Sequence, residues 1–382
     1  MAYCSSCIGK KIEEIGTPAL LVDKKVFENN CKNMLERAKN MGNVKVRCQT
    51  KTHKTVEGGI IQTGGTKRCL VTSTFNESEM YANAGFDDIL YGYPLLESHM
   101  KRNYALTEKL KEYHVMVVNF EGVEILRKTP PPPNKKWSVF LKVDCGYPRS
   151  GVPADDENCI RIAKALSEHP EIISFQGLYA HCGNSYSGET IEGVIAARNK
   201  AIETISNVAV KLRSLGIEVK NVGTGSTPSF SHNTTKTNVL TEIHPGNYIF
   251  YDMQQKLLGS CEINDIAAIV MVRVAAHFPK RNEMLIDCGH VALSEQGFQK
   301  LGGTFAIVKD HPDLSLYHMT QEIGFIRPKN HDSEKLDFTK YPINSVLYLY
   351  QYHVCDTASR FPVYYVHENG RICDEWKPTK WW

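Results

Sequence analysis

Eight short runs of β-branched and aromatic residues, separated by polar, helix-compatible segments, constrain this chain more than anything else in it. They lie at 44–47, 69–74, 88–91, 114–118, 137–144, 172–180, 219–222 and 241–244. Between them, 26–38 has helical spacing (Val26, Cys31, Met34, Leu35, Ala38), Asn76-Glu77-Ser78-Glu79 has the spacing of a capping box, and 191–215 reads as a long helix ended by Gly216. The run Pro130 to Pro133 makes a stiff loop before the fifth strand. Eight strand–helix units over about 230 residues match a (β/α)8 TIM-type barrel better than an open doubly wound sheet. The fold class expected is therefore α/β, with its chemistry at the C-terminal ends of the strands.

Past residue 260 the pattern changes to short β-branched and aromatic runs with little helix between them, at 266–276, 284–287, 305–308, 314–317, 346–349 and 363–366. This reads as a C-terminal antiparallel β domain. The expected division is 17–260 for the barrel and 261–382 for the β domain; the strand after Gly16 fits either, and segment 1–16 is able to join the second. A net charge of +3 from 45 basic and 42 acidic residues leaves no electrostatic footprint for nucleic acid or membrane. No apolar run is long enough to span a bilayer, and residues 1–11 hold cysteines and serines where a signal peptide needs apolar residues, so a cytoplasmic protein is expected. Twelve scattered cysteines suggest reduced thiols, and Cys4-x-x-Cys7, having no matching second pair, reads as a frayed tail instead of a zinc site.

Several constellations fall at strand ends. Lys51-Thr52-His53-Lys54-Thr55 follows the first barrel strand; a lysine there is either solvated surface charge or an amine able to form a Schiff base with an aldehyde cofactor and then act as a base. Arg149 follows the fifth strand, as a phenolate or carboxylate partner or as surface charge. Tyr179 and His181 alternate onto one face at the end of the sixth, to stack on a flat cofactor or to fill the core. After strands seven and eight come Gly223-Thr-Gly-Ser-Thr-Pro228 and His244-Pro-Gly-Asn-Tyr248, which read as a phosphate cup with hydroxyls from Thr224, Ser226, Thr227 and Tyr248, against the alternative of two tight turns. In the β domain, His353 and Cys355 stand two apart, so a regular strand would turn imidazole and thiolate to one metal ion, with Asp356 on the other side.

Together these motifs resemble the fold-type III pyridoxal-phosphate enzymes, the alanine racemase-like group, and within it the zinc-dependent eukaryotic D-serine dehydratases, over about residues 16–376. The resemblance rests on the 51–55 motif, Gly177-Leu-Tyr-Ala-His181 through Tyr186, the two glycine-containing loops and the His353–Cys355 pair, and departs at Cys48-Gln49, where relatives carry Pro-His. It implies a homodimer with an internal aldimine of pyridoxal 5'-phosphate on Lys51, Arg149 on the phenolic oxygen, ring contacts from Tyr179, His181 and Tyr186, and phosphate contacts from Thr224, Gly225, Gly246, Asn247 and Tyr248. It also implies Zn2+ on His353 and Cys355, helping the β-hydroxyl of D-serine depart while Lys51 takes the α-proton, to give pyruvate and ammonia. Two alternatives stand beside it. One is a D-threonine or 3-hydroxy-D-aspartate aldolase on the same scaffold; the other is a non-catalytic pyridoxal-phosphate-binding protein, a reading disfavoured by the extra β domain.

Overall fold

The computed structural model describes residues 6–234 and 236–382, which form two compact units. One comprises Cys31–Tyr248 with Leu258–Ser260 and Thr379–Trp382; the other comprises the residues up to Asn30, Ile249–Leu257 and Cys261–Pro378. The chain enters through β1 (Ala19–Asp23) and α1 (Lys24–Asn40).

The first unit is a parallel barrel. Its strands are β2 (Lys45–Val46), β3 (Cys48–Gln49), β4 (Leu70–Thr72), β5 (Asp88–Pro94), β6 (Glu112–Val117), β7 (Trp137–Asp144) with the short β8 (Val152–Pro153) beside it, β9 (Ile173–Ala180), β10 (Asn221–Thr224) and β11 (Glu242–Ile243). Between them run α2 (Val56–Gln62), α3 (Phe75–Asn83), α4 (Met100–Lys109), α5 (Phe120–Lys128), α6 (Glu157–Ser167) and α7 (Ile191–Ser214), and α8 (Thr227–Ser231) follows β10. Closure occurs at Arg47: β2 pairs with β11, β3 pairs with β4, and the chain crosses from one neighbour to the other between them. The Arg47 amide donates to Ile243 O (2.9 Å) and the Cys48 amide to Cys69 O (2.8 Å). All eight expected barrel strands are present. Alternation turns Val71, Leu90, Met116, Phe140 and Tyr179 into one buried cluster, each apolar member contributing about 1.5–3 kcal/mol by leaving water.

Two local expectations are corrected. The cap of α3 is Thr74, whose Oγ1 accepts from the Glu77 amide at 3.3 Å, so the helix starts before Asn76; Thr74 and Glu77 are the pair with cap spacing. Cys7 is no frayed tail: it is buried with Ile12, Ile15, Ala19, Leu21, Met271 and Ile372, while Cys4 lies outside the described residues.

The second unit is built on β12 (Ala268–Phe278), β13 (Glu283–Ile286), β14 (Ala306–Val308), β15 (Leu314–Met319), β16 (Gly324–Pro328), β17 (Val346–Gln351), β18 (Tyr364–Glu368) and β19 (Arg371–Trp376), with helices α9 (Met253–Leu257) and α10 (Val354–Arg360). Sheet order is β15-β16-β13-β12-β1-β18-β19, with β17 joining β12 to β14. Thus β1 and the start of α1 belong here, not to the barrel. The pairing is antiparallel except where β1 runs parallel to β18, so the sheet is mixed. A strand from the far end of the chain is under no hairpin constraint and is free to pair in either sense. No helix is long and apolar enough to cross a membrane among the described residues.

Candidate active site

Lys51 is the second residue after β3, at the C-terminal rim of the barrel. Its amide donates to Gln49 Oε1 (3.1 Å), and the amides of His53 and Lys54 close the turn on Thr50 O at 3.2 and 2.9 Å. Beneath the turn, His53 lies 2.9 Å from Thr55 Oγ1 and 3.0 Å from Gln62 Oε1, and burial pushes its imidazole down to about 4, so it is a neutral structural bolt. The two lysines differ. Lys54 Nζ is 3.1 Å from Glu77 Oε1, a fully buried carboxylate that also accepts from Thr50 Oγ1 and Thr74 Oγ1, both at 3.1 Å. Lys51 is exposed and has no carboxylate within ion-pair reach among the described residues.

His181 directly follows β9. Burial foremost, and then the positive charges of Arg149, Lys51 and Lys142, push it down to about 3, so these cations gather around a neutral imidazole. With Gly225 O able only to accept, the 3.2 Å contact assigns the proton to Nδ1 of His181. Its ring meets those of Tyr147 and Tyr186 at centroid distances of 5.9 and 6.5 Å. Tyr179 sits deeper: one face is stacked on His244 at 4.0 Å and 7°. Lys142 escaped sequence reasoning. Alternation on β7 puts it on the same side as core Phe140, and burial together with Arg149 pushes its amine down to about 8. A lysine interrupting an apolar strand was the available signal.

The glycine loops converge as a donor cradle. The amides of Gly246 and Tyr248 both donate to Thr227 Oγ1 at 3.2 Å, and Ser226 caps α8 while exchanging a 2.7 Å bond with Ser185. Gly225 has φ +149, and a Cβ there would lie 2.9 Å from the His244 amide; a Cβ on Gly246 would lie 2.9 Å from Gln49 O. Thr224 Oγ1 is buried with no hydrogen-bond partner among the described residues, the kind of orphan a phosphate oxygen satisfies. Asn247 is buried in the same loop. Tyr248 offers no hydroxyl to the cradle, since its amide is engaged by Thr227 Oγ1 and its hydroxyl turns inward to within 3.8 Å of Cys48 Sγ. Cys48, in the departure from the relatives' Pro-His, is thus a core residue whose thiol burial pushes up to about 12. Glycine cradle, orphan hydroxyl and three cations that have no carboxylate partner among the described residues fit a phosphorylated, phenolic aldehyde.

At the opposite, N-terminal rim, Asp88, Glu112 and His114 place ligand atoms within 4.8 Å of one another. Guanidinium groups already fill that cluster: Arg47 Nη1 is 2.7 Å from Asp88 Oδ1 and Arg68 Nη2 is 3.1 Å from Glu112 Oε1. Burial would raise the Asp88 carboxyl, but His114 and Arg47 hold it well below the usual range. These are the features of a structural ion network at the face where barrels keep stability, not chemistry.

In the β unit, the expected strand through His353 and Cys355 is replaced by a junction. β17 ends at Gln351, His353 is the N-cap of α10, and Cys355 is the second residue of that helix, so the two-residue alternation does not apply. Helix geometry follows because Val354 N–H is captured by Asp252 Oδ2 at 2.9 Å, and Asp356 is drawn to Arg360, four residues on, at 3.1 Å. His353 Nδ1 lies 2.9 Å from Gln296 Oε1, an orienting contact of the kind metal-bound imidazoles carry, and thiolate with imidazole is a zinc-type donor pair.

An eight-stranded parallel barrel together with a separate mixed-sheet unit defines the alanine racemase-like class. Residues 22–254 match the model of the alanine racemase N-terminal domain, and residues 267–367 that of a putative serine dehydratase domain. The chain is 36% identical to the D-serine dehydratase of Dictyostelium discoideum over 97% of this chain and 98% of that protein. It is 30% identical to the D-serine dehydratase of Schizosaccharomyces pombe, over 98% and 94%. D-threo-3-hydroxyaspartate dehydratase from Delftia sp. HT23 superposes with a TM-score of 0.91, covering 97% of this chain and all of that one at 24% identity. The chain therefore belongs to the D-serine dehydratase family of alanine racemase-like proteins, and it is a lyase of the dehydratase type.

Proposed function

We propose that this enzyme removes water from D-serine to give pyruvate and ammonia, using pyridoxal 5'-phosphate at Lys51 and zinc at His353 and Cys355. The observation that carries the reading is the gathering of Lys51, Lys142 and Arg149 about a neutral His181, in the same barrel as an orphaned, buried Thr224 hydroxyl. When bound, the coenzyme supplies an electron sink that stabilises negative charge at the substrate's Cα. The loops around Thr224, Gly225, Gly246 and Asn247 would hold its phosphate, and Arg149 would pair with its phenolic oxygen. His181, Tyr186 and Tyr179 would supply the contacts to its ring.

Lys51, the lysine of the pair not committed to Glu77, is the amine that meets the aldehyde and afterwards takes the proton from Cα. His181 stays neutral, so it neither competes for that proton nor adds a fourth charge to the group. His353 and Cys355 would hold zinc, whose Lewis acidity suits a departing hydroxide. The enamine left after loss of water is hydrolysed to pyruvate and ammonia. The same reading makes the protein a cytoplasmic homodimer, which fractionation and sedimentation would report.

The test is pyruvate formation from D-serine with metal analysis, with and without chelator, in the wild type, Lys51→Ala and Cys355→Ala. We expect Lys51→Ala to lose both turnover and the visible absorbance of the lysine-bound coenzyme. Cys355→Ala should lose metal and turnover but keep the coenzyme. Glycine plus an aldehyde from D-threonine, without pyruvate from D-serine, would instead identify an aldolase.

A further inference from the structure

The segment Thr379–Trp382 belongs to the barrel unit although it follows the last strand of the β unit. Its attachments are specific. The Thr379 amide donates to Lys54 O at 2.9 Å, and Asn76 Nδ2 donates to Lys380 O at 2.9 Å. Asn76 is itself held, its Oδ1 accepting from Arg102 Nη2 at 2.9 Å. The Trp382 ring meets Tyr93 edge-on, with centroids 5.5 Å apart and planes at 80°. Burial, and then the charge of Lys54, push the Lys380 amine down to about 8.

Lys54, Asn76 and Tyr93 lie just past β3, just past β4 and near the end of β5, so the tail runs along three successive strand ends of the rim that bears Lys51. The contact at Lys54 matters most. That residue has φ +53, a left-handed conformation that a side-chain-bearing residue keeps only where its surroundings impose it. It also closes the turn that begins at Thr50 and carries Lys51.

We propose that Thr379–Trp382 is a positioning element for the lysine turn: by binding the Lys54 carbonyl and the start of α3 it holds Lys51 in one orientation at the barrel mouth. The amine then meets its aldehyde without first being ordered, and a reacting group misplaced by about 1 Å loses much of its rate. The consequence for chemistry rests on Lys51 being the coenzyme's amine; the ordering of the turn does not.

Two variants test it: a chain ending at Pro378, and Thr379→Pro, which removes the single N–H donor while keeping the tail's length. Amide exchange is followed in coenzyme-free protein, and the coenzyme's dissociation constant is titrated by absorbance. Both variants should exchange about tenfold faster over residues 51–55, with the strands of the β unit unchanged, because one or two net hydrogen bonds are lost. Coenzyme binding should weaken by about the same factor. Unchanged exchange over 51–55, or acceleration spread evenly over the barrel, would overturn the proposal. If Lys51→Ala retains the coenzyme's lysine-bound spectrum, the assignment of Lys51 fails, and the exchange data still decide what the tail does.

Discussion

Lys142 is where charge and burial conflict most directly. Its amine is buried beside Arg149 and drops from 10.5 to about 8, so the folded, coenzyme-free protein binds this proton less tightly than the unfolded chain. The cost is fully present below about pH 8 and disappears as pH rises towards 10.5, on the order of 3 kcal/mol. Lys142→Met should therefore raise the melting temperature of the coenzyme-free protein at pH 7. The gain should shrink at pH 10, as calorimetry at the two pH values would show. A bound anion would offset the same cost, which is why this lysine suits a coenzyme site and would be a liability elsewhere. Lys51 and Lys54 teach the converse lesson. In the sequence they are equivalent amines three apart, and only the buried Glu77 carboxylate, brought in from α3, commits one and leaves the other.

Among the elements, β9 shows how backbone freedom sets a strand's course. Gly177 has φ +137, and the register against β7 shifts beside it, Val139 pairing with Phe175 and Phe140 with Gly177. A Cβ there would lie 2.0 Å from Asn221 O, a main-chain atom with nowhere to go. Gly177→Ala should cost more than about 3 kcal/mol, read from denaturant midpoints, since it combines backbone strain with overpacking. Gly225→Ala, tight against the His244 amide, should instead weaken coenzyme binding at least about tenfold with a smaller loss of stability. Strand alternation held at Tyr179, which β9 carries into the buried cluster beside Phe140. It failed at His353 and Cys355, where Asp252, about a hundred residues upstream, captures the Val354 amide and turns the chain into α10.

For the molecule as a whole, barrel closure depends on Arg47. It lies between β2 and β3 and is hydrogen-bonded at 3.0 Å to Glu242 and at 2.7 Å to Asp88, both buried. Burial would raise the Glu242 carboxyl, but Arg47 and His244 bring it down to about 2. A depressed carboxylate contributes stability that is present above its ordinary range and is lost as pH falls from about 4.5 towards 2. Arg47→Met should cost about 3–5 kcal/mol at pH 7 by taking the guanidinium from two buried carboxylates that keep His114 and His244 beside them. Its deficit relative to wild type should narrow under acid, when those carboxyls are protonated, and urea unfolding at pH 7 and pH 4 would measure the difference.

The sequence by itself determined the barrel, since eight short β-branched and aromatic runs separated by helical segments leave few other ways to bury those strands. It also determined which loops fall at the C-terminal rim, because strand order in a barrel follows chain order. Only the tertiary structure decided that β1 joins the second sheet and that Lys142 enters the cation group. The capture of Lys54 by Glu77 and the bending of the His353–Cys355 segment into a helix were settled there too. Each of these depends on a partner many residues away, and local spacing carries no record of such a contact.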